Sequence, residues 1–179
     1  NYLFKKFNFK IFHAKKIPTH GGSIRVYVTK NKNQKIYKSV SKILNYEKNY
    51  LSEKTFREFK HNVIMSKINL YSLLKKLKSK KKLIYGVGAP SRAATLVNYV
   101  GLNEDIIDYI LEIKGSYKIG KFMPGTNIPI VNENLIKKKK PDYLLILSWH
   151  IAKSLIKIFK KNGFKGKFII PLPKPYITK

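Results

Sequence analysis

The feature that most constrains the fold is a glycine turn between an apolar run and an amphipathic segment, within residues 82–101. Leu83 to Tyr85 form the apolar run, Gly86-Val-Gly88 follows, and Pro90 opens a segment that ends at Gly101. This order predicts a buried strand, a tight turn, and a helix with proline in its first turn and glycine past its end. Such a turn points backbone N–H groups and the positive end of the helix dipole at one place, so we expect an anion there, most often a phosphate.

The turn only partly matches the dinucleotide-binding motif, in which three glycines follow a strand. Ser91 occupies the third glycine position and gives up the close helix–strand packing that glycine allows. Glu112 follows the next apolar run and is a candidate for binding a ribose, although it lies far along the chain. From these residues alone, a nucleotide or nucleotide-sugar site and a purely structural strand–turn–helix remain open alternatives.

Short apolar runs alternate with helical patterns through the second half of the chain. The runs typical of buried parallel strands are residues 83–85, 107–111, 143–147 and 168–170. Helices are predicted from Pro90 and over 151–161, with Gly163 just beyond the second. We therefore predict an α/β fold, with a Rossmann-like three-layer domain and a parallel sheet over residues 82–179.

The first half of the chain reads differently. Alternating apolar residues over 7–12 and 24–28 predict an antiparallel strand pair within residues 1–30. Residues 31–50 are polar and lysine-rich, typical of a linker or weak helix, and an apolar stripe over 51–78 predicts a long helix. Residues 31–81 are therefore interpreted as a helical connector.

The charge of the chain is strongly positive, with 38 basic against nine acidic residues and a net charge of +29. Only Arg25, Arg57 and Arg92 are arginines, and the lysines are spread along the chain as in a product of AT-rich coding bias. Proteins that read bases rely on arginine and interleaved aromatic residues. We therefore expect no specific nucleic-acid partner, while a lysine-driven, non-specific nucleic-acid binder stays open.

Several classes of site and location are disfavoured by composition. The chain has no cysteine, so disulfides and cysteine-based zinc or redox sites are excluded, and no metal site is predicted. No apolar run approaches the length of about 20 residues that spans a bilayer, and lysines interrupt any signal-peptide core. We expect a cytoplasmic protein without a membrane partner.

Two histidines are candidates for chemistry. His20 lies in Thr19-His-Gly-Gly-Ser23, where an imidazole suits general-base work and Gly21 and Gly22 let a ligand approach the backbone. The alternative is a turn histidine without chemistry. His150 follows a predicted strand, where ligands of α/β sheets gather, or it caps the following helix.

Six motifs occurring in one order resemble the C-terminal part of the S-adenosylmethionine-dependent sugar C-methyltransferases, which methylate a carbon of a nucleotide-linked 4-keto sugar. The motifs are Thr19-His-Gly-Gly-Ser-Ile-Arg25, Tyr85-Gly-Val-Gly-Ala-Pro-Ser-Arg92, Thr95-Leu-Val-Asn-Tyr99, Gly120-Lys-Phe-Met-Pro-Gly-Thr-Asn-Ile-Pro-Ile130, Ser148-Trp-His150 and Ile170-Pro-Leu-Pro173. The likeness covers nearly the whole chain.

The resemblance implies a three-part enzyme with a small zinc-binding domain, a class I methyltransferase domain and a C-terminal Rossmann-like domain. Residues 1–30 are then the last strand pair of the methyltransferase domain. The zinc cysteines and the acidic, glycine-rich cofactor loop are absent from this sequence, which begins with Asn1. We therefore expect a fragment or a split enzyme, inactive alone and without bound S-adenosylmethionine, whose missing domain lies in the same or a separate chain.

The resemblance also implies roles for particular residues. By this resemblance, His20 corresponds to the base, which removes the proton next to the ketone so that the carbanion can displace the methyl group of the sulfonium. Ile17 and Thr19 stand where relatives often carry residues that assist catalysis. The residues expected to contact the nucleotide-diphosphate sugar are Gly21, Gly22, Ser23, Arg25, Gly86, Gly88, Ser91, Arg92, Lys121 and His150. A structural role remains open for the last four of these. A further alternative for the chain is a stand-alone nucleotide or NAD(P) module built on Gly86, Gly88 and Glu112.

Overall fold

A computed structural model describes residues 1–179, except for the side chain of His20. The chain divides into two compact units, Asn1–Lys60 and His61–Lys179. A long helix, α3 (Glu53–Lys78), carries the chain from the first unit into the second. The units are described separately below.

The first unit contains a short helix, a strand pair and a second helix. Helix α1 spans Tyr2–Lys6, strand β1 Lys10–Ile17, strand β2 Ser23–Thr29 and helix α2 Lys38–Tyr50. The strands pair antiparallel, as predicted, with a register irregularity between Ile11 and His13. The expected strand at 7–12 begins later because Asn8 adopts a positive φ of 58° and donates its N–H to Lys5 O at 3.0 Å, which closes α1.

Helix α2 forms in the polar segment that the sequence left as a linker or weak helix. Its first turn is tied to β1, because Ser39 Oγ lies 2.7 Å from His13 Nδ1 and accepts the Ala14 N–H at 3.4 Å. The His13 ring is also flanked by the rings of Tyr27 and Tyr37, with centroids 5.1 and 5.6 Å away. Tertiary contacts therefore fix a helix that has no buried residue of its own.

The second unit is built on a six-stranded sheet. Its strands are β3 (Ile84–Val87), β4 (Tyr109–Glu112), β5 (Ile130–Asn132), β6 (Tyr143–Ile146), β7 (Lys167–Ile170) and β8 (Tyr176–Thr178). Their order is β5-β4-β3-β6-β7-β8, and all neighbours are parallel except β7 and β8. Strands β5 and β8 were not predicted: each has only three residues, too few for a periodic pattern to be read.

Helices cover both faces of this sheet, as the prediction of a three-layer α/β domain requires. Leu70 and Leu74 of α3 share a buried cluster with Ala93 and Val97 of α4 (Ser91–Val100). On the other face, Phe159 of α6 (Ala152–Lys161) is buried with Tyr85 and Phe168, and residues of α5 (Leu135–Lys138) pack nearby. The fold class predicted from the sequence is confirmed.

Two helices end just before the glycines that the sequence places after them. Gly101 adopts a left-handed conformation with φ of 81° directly after α4, and Gly163 has φ of 86° after α6. The proline was expected inside the first turn of α4, but Pro90 is the N-cap residue, extended at ψ of 159°. Among the described residues, no helix combines the length and the apolar character that crossing a membrane requires.

Candidate functional site

The sheet of the second unit has a point at which its strand order reverses. From β3 the chain moves outward through β4 and β5, then returns to the other side of β3 to form β6, β7 and β8. In open α/β sheets, ligands bind in the crevice beyond the carboxyl ends of the strands at such a point. The segments after β3 and β6, which begin at Gly88 and Leu147, therefore define the candidate site.

Gly88 and Ser148 meet at this crevice. Gly88 has φ of 83°, and a Cβ placed on it would collide with the hydroxyl of Ser148, which is only 9% exposed. Gly86, in contrast, is not part of a turn. It lies within buried β3, and a Cβ there would come within 2.8 Å of Leu147 Cδ1 and 3.0 Å of Ile110 Cγ1. The structure therefore gives Gly86 a packing position and leaves Gly88 at the crevice.

Two charged side chains hold the backbone of the turn. Ala89 donates its N–H to Glu112 Oε2 at 2.7 Å, and Lys118 Nζ donates to Ala89 O at 2.8 Å. A carboxylate thus already occupies an amide that the dinucleotide motif uses around a phosphate. This geometry disfavours the NAD(P) alternative, in which Glu112 would instead bind a ribose.

A pocket of about 430 Å³ opens beside the turn. It is bounded by Ser91 at the start of α4 and by residues of the long segment between β4 and β5, with Met123 and Ile130 also lining it. Two aromatic side chains of that segment are exposed: Tyr117 by 78% and Phe122 by 59%. Lys121 Nζ lies 5.3 Å from the centroid of the Tyr117 ring. The pocket therefore combines positive charge with open aromatic faces.

The remaining predicted residues of the second unit stand on the segments after β3 and β6. The guanidinium carbon of Arg92 lies 6.0 Å from the ring centroid of Trp149, a contact that ties the start of α4 to the segment after β6. His150 occupies a 3-10 turn, Trp149–Ile151, and is half-buried. The structure thus gathers Gly88, Ser91, Arg92 and His150 at one edge of the sheet, with Lys121 lining the adjoining pocket.

The predicted residues of the first unit lie at and after a 3-10 turn, Thr19–Gly21, between β1 and β2. Gly21 and Gly22 have φ of 87° and 126°, and a Cβ on either would meet no described atom within 4 Å. Ser23 Oγ donates to Thr19 O at 3.0 Å. The side chain of His20 lies outside the part of the chain that the structure describes.

Arg25 is exposed on β2 and lies directly opposite Lys15 of β1. Like charges that face each other across two strands are destabilising. No carboxylate of the described residues forms an ion pair with either of them. An anionic ligand next to Arg25 would relieve this repulsion.

Sequence reasoning missed the parts of the site that come from the segment between β4 and β5. Tyr117, Lys118 and Phe122 line the pocket, whereas only Lys121 was proposed. A segment of this length within a compact domain is often functional, yet nothing in its sequence shows that it folds back beside the turn after β3. Among the described residues, no group of three or more His, Asp or Glu is placed to hold a metal ion.

Comparison with known proteins identifies the class that this fold and site define. Residues 18–173 match the family described as the C-methyltransferase C-terminal domain, and the chain belongs to that family. Among curated proteins, it is similar to the C-methyltransferase NovU of Streptomyces niveus, with 29% identity over 181 residues. The alignment covers 98% of this chain and 42% of NovU, so the chain spans less than half the length of this relative.

Proposed function

We propose that this chain is the C-terminal portion of an S-adenosylmethionine-dependent C-methyltransferase that acts on a nucleotide-linked 4-keto sugar. In this proposal the crevice of the second unit holds the nucleotide diphosphate, and His20 of the first unit is the base. The observation that carries the proposal is the positively charged pocket beside the Gly88 turn, in a member of a C-methyltransferase family.

The chemistry required of this chain is the removal of a proton. A proton on the carbon next to a ketone is acidic because the resulting enolate is delocalised, and a neutral imidazole can accept it at neutral pH. The open backbone at Gly21 and Gly22 leaves room for the sugar at this position. Arg25, on the strand that follows, supplies positive charge on the first unit.

The crevice pocket is a poor match for the methyl donor. Its sulfonium is a cation, whereas Lys118 and Lys121 line the crevice pocket, and Glu112 is bound to the Ala89 amide. We therefore propose that the cofactor belongs to a methyltransferase domain supplied in the same or a separate chain, and that the 179 residues alone transfer no methyl group. Methyl transfer by the purified chain from S-adenosylmethionine to a 4-keto nucleotide sugar would contradict this.

The substrate assignment is tested by titration. Trp149 is the sole tryptophan and lies at the crevice, so its fluorescence reports a ligand bound there. We expect a dTDP-sugar to change this fluorescence with saturation, and NAD(H) to bind at least about tenfold more weakly, because Glu112 occupies the turn. Tighter binding of NAD(H) would favour the dinucleotide module instead.

Two lysine variants of one segment localise the ligand. Lys121→Gln removes a charge from the pocket, whereas Lys114→Gln removes an equal charge from an exposed position that does not line it. We expect the first to weaken binding of the dTDP-sugar by about fivefold and the second by less than about twofold. Equal effects would mean that overall charge, and not this pocket, attracts the ligand.

A further inference from the structure

A second cavity lies at the opposite end of the sheet, where strands β6 and β7 begin. Its volume is about 730 Å³, larger than the crevice pocket. Ligands of α/β sheets collect at the carboxyl ends of the strands, so this amino-end cavity is separate from the proposed substrate site. We propose that it binds an anion with three or more linked phosphate groups, such as a polyphosphate or a nucleoside triphosphate.

Five lysines and one carboxylate line the cavity: Lys82, Lys137, Lys140, Lys165, Lys167 and Asp142. The carboxylate is already neutralised, because Asp142 Oδ1 accepts from Lys82 Nζ at 2.9 Å and Oδ2 accepts from the Leu83 N–H at 2.9 Å. The other four lysines form no ion pair with any described residue. The cavity therefore carries four uncompensated positive charges.

These four charges come from two segments that the fold brings together. Lys137 and Lys140 precede β6, and Lys165 and Lys167 precede or begin β7, which pairs with β6 from Tyr143 opposite Lys167 onward. A ligand with several linked phosphates can contact both segments at once, whereas a single phosphate contacts fewer of them. Lysine ammonium groups bind phosphates as point charges, so the number of contacts sets the affinity.

The segment between α6 and β7 has a fixed shape and offers further donors. A Cβ on Gly166 would lie 2.6 Å from Asp142 O and would also collide with the Phe164 ring, so only glycine fits there. The N–H groups of Lys165 and Gly166 make no hydrogen bond with the described residues, and both residues line the cavity. A phosphate oxygen would give these amides the acceptor that they lack.

The apolar residues of the cavity support this shape. Phe164 packs edge-on against Phe168 with ring centroids 5.2 Å apart, and Pro141 is buried.

The backbone carbonyls at the end of α6 are largely occupied, since Gly163 N–H donates to Lys160 O at 3.0 Å and Phe164 N–H to Phe159 O at 3.0 Å. Their partial negative charge therefore does not face the cavity unscreened.

Anion binding at this cavity must be distinguished from the general attraction of a very basic chain for anions. Two triple variants with the same net charge achieve this. Lys137→Gln, Lys140→Gln and Lys165→Gln remove three of the four uncompensated charges of the cavity, while Lys153→Gln, Lys157→Gln and Lys160→Gln remove three charges from the exposed side of α6. None of these residues belongs to the crevice.

Tripolyphosphate is titrated calorimetrically into the full chain and both variants at about 0.15 M salt, where surface charges are screened beyond about 8 Å. We expect saturable binding that is about tenfold weaker in the cavity variant and changed less than about twofold in the α6 variant. Inorganic phosphate should bind at least about tenfold more weakly than tripolyphosphate. Equal weakening in both variants, or equal affinity for the two anions, would overturn the proposal.

Amide chemical shifts locate the ligand and separate this site from the crevice. In ¹H–¹⁵N spectra, tripolyphosphate and ATP should shift Lys165 and Gly166 and leave Gly88 unchanged. A dTDP-sugar should do the reverse if the proposed function holds, so either proposal can fail without the other. Shifts at Gly88 alone, or tighter binding of a single-stranded oligonucleotide that both triple variants weaken equally, would overturn the cavity proposal.

Discussion

Ser148 fills the space in which any residue other than glycine at position 88 would place its Cβ. The two residues follow neighbouring strands, β3 and β6, and Leu147 donates its N–H to Val87 O at 3.0 Å just before them. Close approach of these two segments brings the start of α4 next to the 3-10 turn that carries His150. The geometry of the crevice therefore depends on this pair.

Replacement of Gly88 by alanine should destabilise the second unit. Two costs add: a positive φ, which costs about 1 kcal/mol for alanine, and a collision with Ser148, which costs about 1–3 kcal/mol more. Gly101→Ala is a matched control, since Gly101 has φ of 81° and open space around its Cβ position. Urea unfolding should place Gly88→Ala well below Gly101→Ala in stability.

A double-mutant cycle isolates the collision. Ser148→Ala removes the hydroxyl that the new methyl group would meet, so the pair of substitutions should cost less than the sum of the single ones by about 1 kcal/mol. If the two losses simply add, the contact between positions 88 and 148 contributes nothing to the strain.

Glu112 should stabilise the turn and not serve as a ribose ligand. Glu112→Ala leaves the Ala89 N–H without its acceptor, which should cost about 1–3 kcal/mol in urea unfolding. Exposed Glu58 makes no contact of this kind, and its replacement by alanine should change stability by less than about 0.5 kcal/mol. If instead Glu112→Ala leaves stability intact and abolishes NAD(H) binding, Glu112 is a ribose ligand.

Lys118 and Lys121 line the same pocket, but we expect Lys118 to contribute to stability and Lys121 to ligand binding. Lys118 Nζ is bound to Ala89 O, so Lys118→Met should lower stability by about 1 kcal/mol. Lys121 is exposed and lies over the Tyr117 ring, so Lys121→Met should leave stability within about 0.5 kcal/mol and weaken dTDP-sugar binding. Paired urea and fluorescence titrations measure both; the opposite pattern would exchange the two roles.

The sequence predicted the sheet unit well because strong local signals coincide with its elements. The apolar run before Gly86 predicts a strand and the amphipathic segment before Gly101 predicts a helix, and each pattern is formed by residues close together in the chain. The two hydrogen bonds that hold the backbone of Ala89 could not be predicted in the same way. Glu112 and Lys118 reach this residue across 23 and 29 positions, and only the tertiary fold brings them together.

The helix at Lys38–Tyr50 shows a second limit of the sequence. Most of its residues are polar and none is buried, so the sequence alone indicated a linker or a weak helix. Its position depends on the contact between Ser39 and His13, 26 positions apart.

Among the candidate ligand residues, Gly86 shows the same limit. The sequence predicted it as part of the turn, because its packing against Leu147 and Ile110 arises only in the tertiary fold.

The ion pair between Lys82 and Asp142 should make folding of the second unit depend on pH at both extremes. Partial burial acts to raise the pKa of Asp142, but hydrogen bonds from Lys82 and the Leu83 amide outweigh it and hold the pKa below its ordinary 3.8. The hydrogen bond to Asp142 raises the pKa of Lys82 above its ordinary 10.5. The stabilisation that ionised Asp142 provides is therefore complete above pH 3.8 and is lost as the pH falls through the lowered pKa. The stabilisation that protonated Lys82 provides is complete below pH 10.5 and is lost as the pH rises through the raised pKa.

Asp142→Asn tests this dependence, because it removes the charge and keeps an acceptor for the Leu83 N–H. The wild-type chain should be more stable than the variant near pH 7, and the difference should shrink toward about pH 2 and again above about pH 11. The effect should be modest, since the side chains of Lys82 and Asp142 are 43% and 36% exposed. Asp105→Asn, at an exposed position without an ion pair among the described residues, should show no such dependence. A difference between wild type and Asp142→Asn that stays constant from acid to alkali would show that the pair is not coupled to folding.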